Sequence, residues 1–262
     1  MSQFRILDYN YVFDDITVEG TTEDASFPAS NLQKFSRSKV YRSTSALAQR
    51  IVFDMLTPVS IDSVLVLFDR DSDIMISPNA TFKVEANPTN HWSSPDYSQA
   101  LTIDNTNHCA TYFLSTAEEH RFWSIYVNDA YNTVGYFELA KVFFAKATQL
   151  SQMPSMPFEV NTIEQSDIED SNYGVRFADI YPYVRKASFP HRLLSETDKQ
   201  TLSQIFNRVG KVKPIALCLD PQESFFNDNN EHMFYGYFDN DFRASNQVVS
   251  YFDVDVTIKE AL

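Results

Sequence analysis

The chain is poor in glycine, with 5 in 262 residues, and in cysteine, with 2. So few glycines leave little material for loops that cradle phosphates, and neither G-x-x-x-x-G-K-[ST] nor G-x-G-x-x-G occurs. The G-x-S-x-G elbow of serine hydrolases is missing as well. Cys109 and Cys218 lie far apart among apolar neighbours. They form no C-x-x-C pair and no disulfide framework, and buried free thiols are expected. The histidines, His91, His108, His120, His191 and His232, make no H-x-x-x-H or H-E-x-x-H pair, so a zinc hydrolase gets no support. No apolar run approaches the ~20 residues needed to cross a membrane. The start, Met1-Ser2-Gln3-Phe4-Arg5, has no apolar signal core, so synthesis and folding in a cytoplasm are expected. Positive charge is also short: the net charge is −14, divided evenly between the two halves of the chain. That disfavours direct attraction to nucleic acid or to an anionic membrane surface.

What is abundant is aromatic surface. There are 22 Phe and 14 Tyr, and apolar residues make up 44% of the chain, which argues for a substantial core. Aromatic and β-branched residues favour strands. Phe4–Phe13 has strand composition, and a second short strand is expected at Ile16–Glu19 after an Asp14-Asp15 turn. Val64–Phe68 is a continuous apolar run, where a strand with one wet face alternates. Its outer face is therefore covered either by another element or by another subunit. Phe82-Lys83-Val84-Glu85-Ala86 alternates cleanly, as a half-exposed strand does. Residues 147–157 carry no charge and two prolines, Pro154 and Pro157, and are expected to link two domains, 1–146 and 158–262.

In the second half one helix is predicted over about 196–209. Ser195 is a suitable N-cap with Asp198 three residues on, Leu202, Ile205, Phe206 and Val209 share one face, and Gly210 suits the stop. A lone amphipathic helix among strands suits the cover of a sheet.

Two resemblances follow from ordered motifs. Phe27-Pro28-Ala29-Ser30-Asn31-Leu32, Tyr41-Arg42-Ser43, Arg50–Asp54 and Val59–Phe68, followed by His120–Asp129 and Tyr136–Phe144, resemble a discoidin-like (galactose-binding-like) jelly-roll β-sandwich over roughly residues 22–146. Arg192-Leu193-Leu194-Ser195, Gly210, Lys213–Leu217, Tyr235-Gly236-Tyr237 and Thr257–Glu260 look similar to a small α+β domain of long-tailed bacteriophage tail and baseplate proteins. The expected fold is thus mainly β: a discoidin-like sandwich followed by an α+β domain with one helix on a sheet. The resemblances imply a structural component of a phage tail tip or baseplate. Its partners would be other tail proteins, it would form a homo-oligomeric ring, and it would reside in the virion tail. The alternative is a carbohydrate-binding module or adhesin that touches host-surface glycans.

Candidate contacts go with each reading. Trp92 and Tyr97, in a polar-aromatic loop, suit stacking on a sugar ring; the other reading of Trp92 is a plug at the sandwich end. Phe225 and Phe226, in the polar stretch Asp220–Glu231, suit an assembly contact, or fold back onto the core. Asp69, Asp71 and Asp73 make a D-x-D-x-D run that fails the EF-hand template at Ile74 and Ala80, leaving a solvated acidic loop or a metal loop. No cofactor, no resident metal and no catalytic residue is expected. Carboxylates are plentiful, yet no activated nucleophile or acid–base pair is visible in their spacing.

Overall fold

The computed structural model describes residues 4–69, 76–105, 108–155, 159–170, 176–179, 183–219 and 233–261. The protein is mainly β, with open sheets and, among the described residues, one α-helix. The chain divides into two compact units. One runs from Leu7 to Thr148; the other joins residues 4–6 to the described chain from Gln149 onward.

In the N-terminal unit a sheet runs in the order Lys141–Ala145, Gln49–Leu67, Cys109–Asn128, Thr81–Asn87, Tyr97–Ala100, with Thr17–Gly20 and Thr102–Asp104 added on the two long strands. Alternation sends Ile51, Phe53, Val84, Ala86, Trp123 and Ile125 into one core, where all are fully buried. Val142 and Phe144 of the edge strand join them. The continuous run Val64–Phe68 is explained within this unit. Val64, Val66 and Phe68 point into the core, while Leu65 and Leu67 are buried on the other side. That second side includes Phe143, the register partner of Leu65, whose ring meets Phe13 at 5.5 Å; Phe13 in turn meets Phe35 at 5.1 Å. The covering segments belong to the same chain.

Phe13 is there because Phe4–Phe13 is not one strand, as its composition suggests. It forms a strand at Arg5–Leu7 and a 3-10 turn at Tyr11–Phe13. Asn10 breaks the ladder. Its Oδ1 accepts from the N–H groups of Val12 and Phe144, both at 3.1 Å, and its Nδ2 donates to the Val142 carbonyl at 2.8 Å. A buried Asn satisfied by backbone in this way replaces strand pairing with a turn.

Residues 29–40 are held by two buried cations. The Lys141 ammonium, fully buried, donates to the carbonyls of Asn31 at 3.2 Å and Lys39 at 2.9 Å. Arg37 donates from Nε and Nη2 to the Phe68 carbonyl, at 3.3 and 2.8 Å. Desolvation, and secondarily the charge of Arg37, push the Lys141 amine down to about 7. A neutral amine still has two N–H donors, so the two carbonyls stay satisfied on either side of that pH.

In the C-terminal unit the sheet order is Thr148–Gln149, Arg5–Leu7, Ile215–Cys218, Met233–Phe238, Tyr251–Glu260, Val184–Ser195, Glu159–Ile163, with Ala244–Val248 also paired to Tyr251–Glu260. The expected domain limits therefore need two changes. Residues 4–6 lie with the second unit: Phe4 and Ile6 are buried in its core, and the Phe4 ring sits 6.3 Å from Phe189. Residues 147–155 are bonded rather than free. Leu150 is buried in the same core, Ser151 donates its N–H to Asp198 at 3.1 Å, and Ser155 donates to the Pro190 carbonyl at 2.6 Å.

The helix spans Glu196–Val209 and buries Leu202, Ile205 and Val209. Ser195 Oγ accepts from the Asp198 N–H at 3.1 Å, as its spacing predicts. The buried Asp198 carboxylate accepts from the Ser195 hydroxyl at 3.1 Å and from the N–H and hydroxyl of Ser151, rather than from the Ser195 N–H as in a capping box. Gly210, at φ 55°, ends the helix by donating to the Phe206 carbonyl at 2.7 Å. Gly236 is demanded by close approach: a Cβ there would lie 2.1 Å from the Lys259 carbonyl oxygen on the neighbouring strand.

Two consequences can be measured. Lys141→Met keeps the apolar stem but leaves the Asn31 and Lys39 carbonyls without that donor. It is expected to lower the stability of the N-terminal unit by about 2–4 kcal/mol, read from hydrogen exchange of the Gln49–Leu67 amides; unchanged protection would show that the clamp contributes nothing. His191 is buried, packs 5.7 Å from Phe4, and neither ring nitrogen has a hydrogen-bond partner among the described residues. Burial pushes its imidazole down to about 4; the Asp198 charge opposes this and Arg192 adds to it. An unfolded His binds a proton below about 6.5, whereas the folded one resists until about 4, so stability falls as pH drops through that window. The loss amounts to about 3 kcal/mol, and His191→Leu is expected to abolish it in the pH dependence of unfolding.

Candidate functional site

The same alternation that fills the N-terminal core leaves a polar opposite face. Arg50 stands across from Tyr126, and Tyr126 across from Lys83. One register step on, Val52 faces Ser124, Ser124 faces Glu85, and Glu85 faces Ser98. The Arg50 side chain leans along this face. Its Nη1 forms an ion pair with the Glu85 carboxylate and donates to Ser124 Oγ at 2.8 Å. Glu85 and Ser124 are both buried, so charge pairing and hydrogen bonding are what make this burial tolerable.

The guanidinium lies against two rings. Its centre lies 4.6 Å from the Trp92 ring and 5.1 Å from the Tyr126 ring, within cation–π range. The loop following Thr81–Asn87 folds back to bring Trp92 there. Asn87 Nδ2 donates to the His91 carbonyl, Trp92 Nε1 donates to Asn90 Oδ1 at 2.7 Å, and His91 Nε2 is hydrogen-bonded to Ser93 Oγ at 2.6 Å. Trp92 is half-buried and His91 exposed. The result is an indole with a fixed edge and a supported face, beside exposed polar groups.

Tyr97 does not share this face. It pairs with Ala86, itself opposite Trp123, and its ring lies 6.2 Å from the Trp123 ring on the core side of the sheet. Burial, followed by Tyr112 and Glu118, pushes its hydroxyl up to about 12, which keeps it protonated. The two aromatics proposed as one sugar contact are thus separated by the sheet. The fully buried tryptophan of the unit is Trp123. Arg50, Glu85 and Tyr126 were missed from sequence. The outward position of Glu85 is legible in the alternation of 82–86, but its partner Arg50 depends on strand register.

Phe225 and Phe226 lie outside the described residues, as do Asp71 and Asp73 of the acidic run. Among the described residues no group of three or more His, Cys, Asp or Glu side chains could hold a metal ion. Among the same residues no helix is long and apolar enough to cross a membrane.

No protein-family model matches the chain, and no curated protein matches it. Solved structures do resemble it over about half its length. The family 32 CBM from C. perfringens NanJ in complex with galactose is 12% identical, with a TM-score of 0.44, covering 54% of this chain and 99% of its own. The lectin domain of lectinolysin complexed with Lewis B antigen is 11% identical, with a TM-score of 0.44, covering 53% and 97%. A Streptococcus pneumoniae fucose binding module is 10% identical, with a TM-score of 0.43, covering 53% and 98%.

The support under Trp92 can be tested directly. Arg50→Ala removes the cation from the indole face and leaves Glu85 buried without it. Trp92 emission is expected to shift red, with faster quenching by iodide, in a background where Trp123→Phe silences the other indole. An unchanged spectrum would mean that the loop, not Arg50, fixes the ring.

Proposed function

We propose that the N-terminal unit is a carbohydrate-binding module, acting by recognition rather than catalysis. The observation that carries this reading is Trp92. One side of its ring rests on the Arg50 guanidinium, its N–H is fixed to Asn90, and it remains half-buried beside the exposed His91 and Ser93. A pre-ordered indole loses little freedom on binding, and its apolar face suits the C–H face of a pyranose. His91 and Ser93 supply donors and acceptors for ring hydroxyls. Arg50 serves as a support, its Nη1 held by Glu85 and Ser124 beneath the indole.

Assembly in a phage tail has less behind it. It rests on the resemblance of the motifs between Arg192 and Glu260 to tail and baseplate domains, to which none of the similar structures reported above adds; of its further supports, the unbroken run Val64–Phe68 is covered by this chain itself and Phe225-Phe226 lie outside the described residues.

The test is a glycan screen followed by calorimetric titration with galactose and fucose. Binding of at least one glycan at millimolar concentration or tighter is expected. Trp92→Ala should weaken it by tenfold or more, a loss on the order of 1.4 kcal/mol, while Tyr97→Phe leaves it unchanged. Silence across the screen would remove the proposal; equal loss in both variants would remove the assignment to the Trp92 face.

A further inference from the structure

The first described residues of the chain are seated in the C-terminal unit against a buried imidazole. Arg5–Leu7 lies between Thr148–Gln149 and Ile215–Cys218, and Phe4 and Ile6 are buried in the core. The Phe4 ring packs on Val184–Ser195, where Ala187, Phe189 and His191 follow one another on the inward face. Ser155 fixes the main chain on both sides of His191. Its N–H donates to the Pro190 carbonyl at 2.6 Å, and its hydroxyl accepts from the Arg192 N–H at 3.0 Å. Val254 is the register partner of His191 on the other edge of the strand. The imidazole is 1% exposed, and its two unpartnered nitrogens have only the Phe4 ring and these strands around them among the described residues.

Few charges answer a proton placed there. The helix contributes Asp198, a buried carboxylate that already accepts from the Ser195 hydroxyl and from the N–H and hydroxyl of Ser151. Tyr251–Glu260 contributes Asp253 and Asp255, which pair instead with Arg192, at 3.8 and 2.6 Å. Arg192 itself is exposed, and its charge opposes a proton on His191. Alternation puts Arg5 on the face opposite Phe4 and Ile6, and residues 149–155 carry no charge. A charged imidazole in this place is desolvated without an acceptor, and water would relieve it.

We propose that His191 is an acid-sensitive latch on the N-terminal segment: a proton on its ring releases Phe4–Ile6 from the C-terminal unit while the helix and the remaining strands stay folded. The wall that gives way is the one with least support. Val184–Ser195 is paired along both edges, by Glu159–Ile163 and Tyr251–Glu260, and the helix is anchored by Leu202, Ile205 and Val209. Phe4 stands at the head of a three-residue strand, and short segments near a chain end open at the lowest cost. Its departure opens the imidazole to water. The direction follows from linkage. The seated imidazole takes a proton only near 4 and a hydrated one near 6.5, so seating weakens as pH falls below about 6.5, by up to about 300-fold, and levels off below about 4. The pH dependence thus appears first at one segment, in a unit whose helix remains formed.

The experiment follows amide hydrogen exchange and the His191 ring resonances of the full-length protein by NMR, from about pH 7.5 down to about pH 4. After correction for the intrinsic pH dependence of exchange, protection at Arg5 and Ile6 is expected to fall across that window by up to about 300-fold. At every pH it stays below the protection of the Leu202, Ile205 and Val209 amides. Phe4→Ala is expected to bring the His191 titration up toward about 6.5 with the helix amides still protected. His191→Leu is expected to keep Arg5 and Ile6 protected and to remove their pH dependence. Protection at Arg5 and Ile6 that does not change with pH in the unmutated protein would overturn the proposal. So would exchange of these amides and the helix amides as one unit, or a His191 titration that Phe4→Ala leaves in place. The unmutated protein decides the matter by its exchange alone if neither variant folds.

Discussion

A buried ammonium holds the N-terminal unit together. Lys141 stands on an edge strand that sends Val142 and Phe144 into the core. Its own side chain runs the other way and ends on two main-chain carbonyls, at Asn31 and Lys39. These belong to a segment with little ladder pairing of its own, between the 3-10 turn Ala29–Gln33 and Tyr41–Arg42. Asn31 Nδ2 donates onward to the Val40 carbonyl at 2.8 Å, and Arg37 reaches the Phe68 carbonyl. The segment carries Phe35, whose ring meets Phe13, which in turn meets Phe143 beside Leu65. A strand that is apolar on both sides therefore stays inside one chain because two cations organise the loop above it. Backbone carbonyls buried in a loop need donors, and here long side chains supply them.

The polar face of the same sheet follows related logic. Glu85 is buried on a strand where alternation would leave it wet, and Arg50 compensates it from the neighbouring ladder. Once the guanidinium is fixed by Glu85 and Ser124, its flat faces are available to Trp92 and Tyr126. The recognition surface proposed above is thus built upon an ion pair whose Arg50 Nη1 is committed to Glu85 and Ser124. The arrangement divides labour: charge fixes position, and aromatic surface is left to meet a ligand.

What could be read in the sequence was local. The helix Glu196–Val209 was legible because Ser195, the spacing of Leu202, Ile205 and Val209, and Gly210 all act within a few turns of one another. The outward position of Lys83 and Glu85 was legible for the same reason. What escaped was pairing at a distance. Arg50 meets Glu85 and Ser124 across 35 and 74 residues, and only strand register joins them. Register also separates Trp92 from Tyr97, which are neighbours in sequence but lie on opposite sides of a sheet. Asn10 was misread as part of a strand because its partners, Val142 and Phe144, come at the far end of the unit. The apolar run 64–68 raised the right question, what covers it, but the answer lay in Phe13 and Phe35, which no local pattern links to it.

The placement of Arg5–Leu7 bears on how the chain acquires its shape during synthesis. That strand lies beside Ile215–Cys218 in the C-terminal sheet, so the ribosome delivers it roughly two hundred residues before its neighbour. The unit that holds it cannot close until Tyr251–Glu260, a central member of the same sheet, has emerged. The intervening unit, from Leu7 to Thr148, has its own core and can fold while the first strand waits. The waiting segment carries Phe4 and Ile6, both destined for burial, so nascent chains expose an apolar hook until the strands of that core have been made.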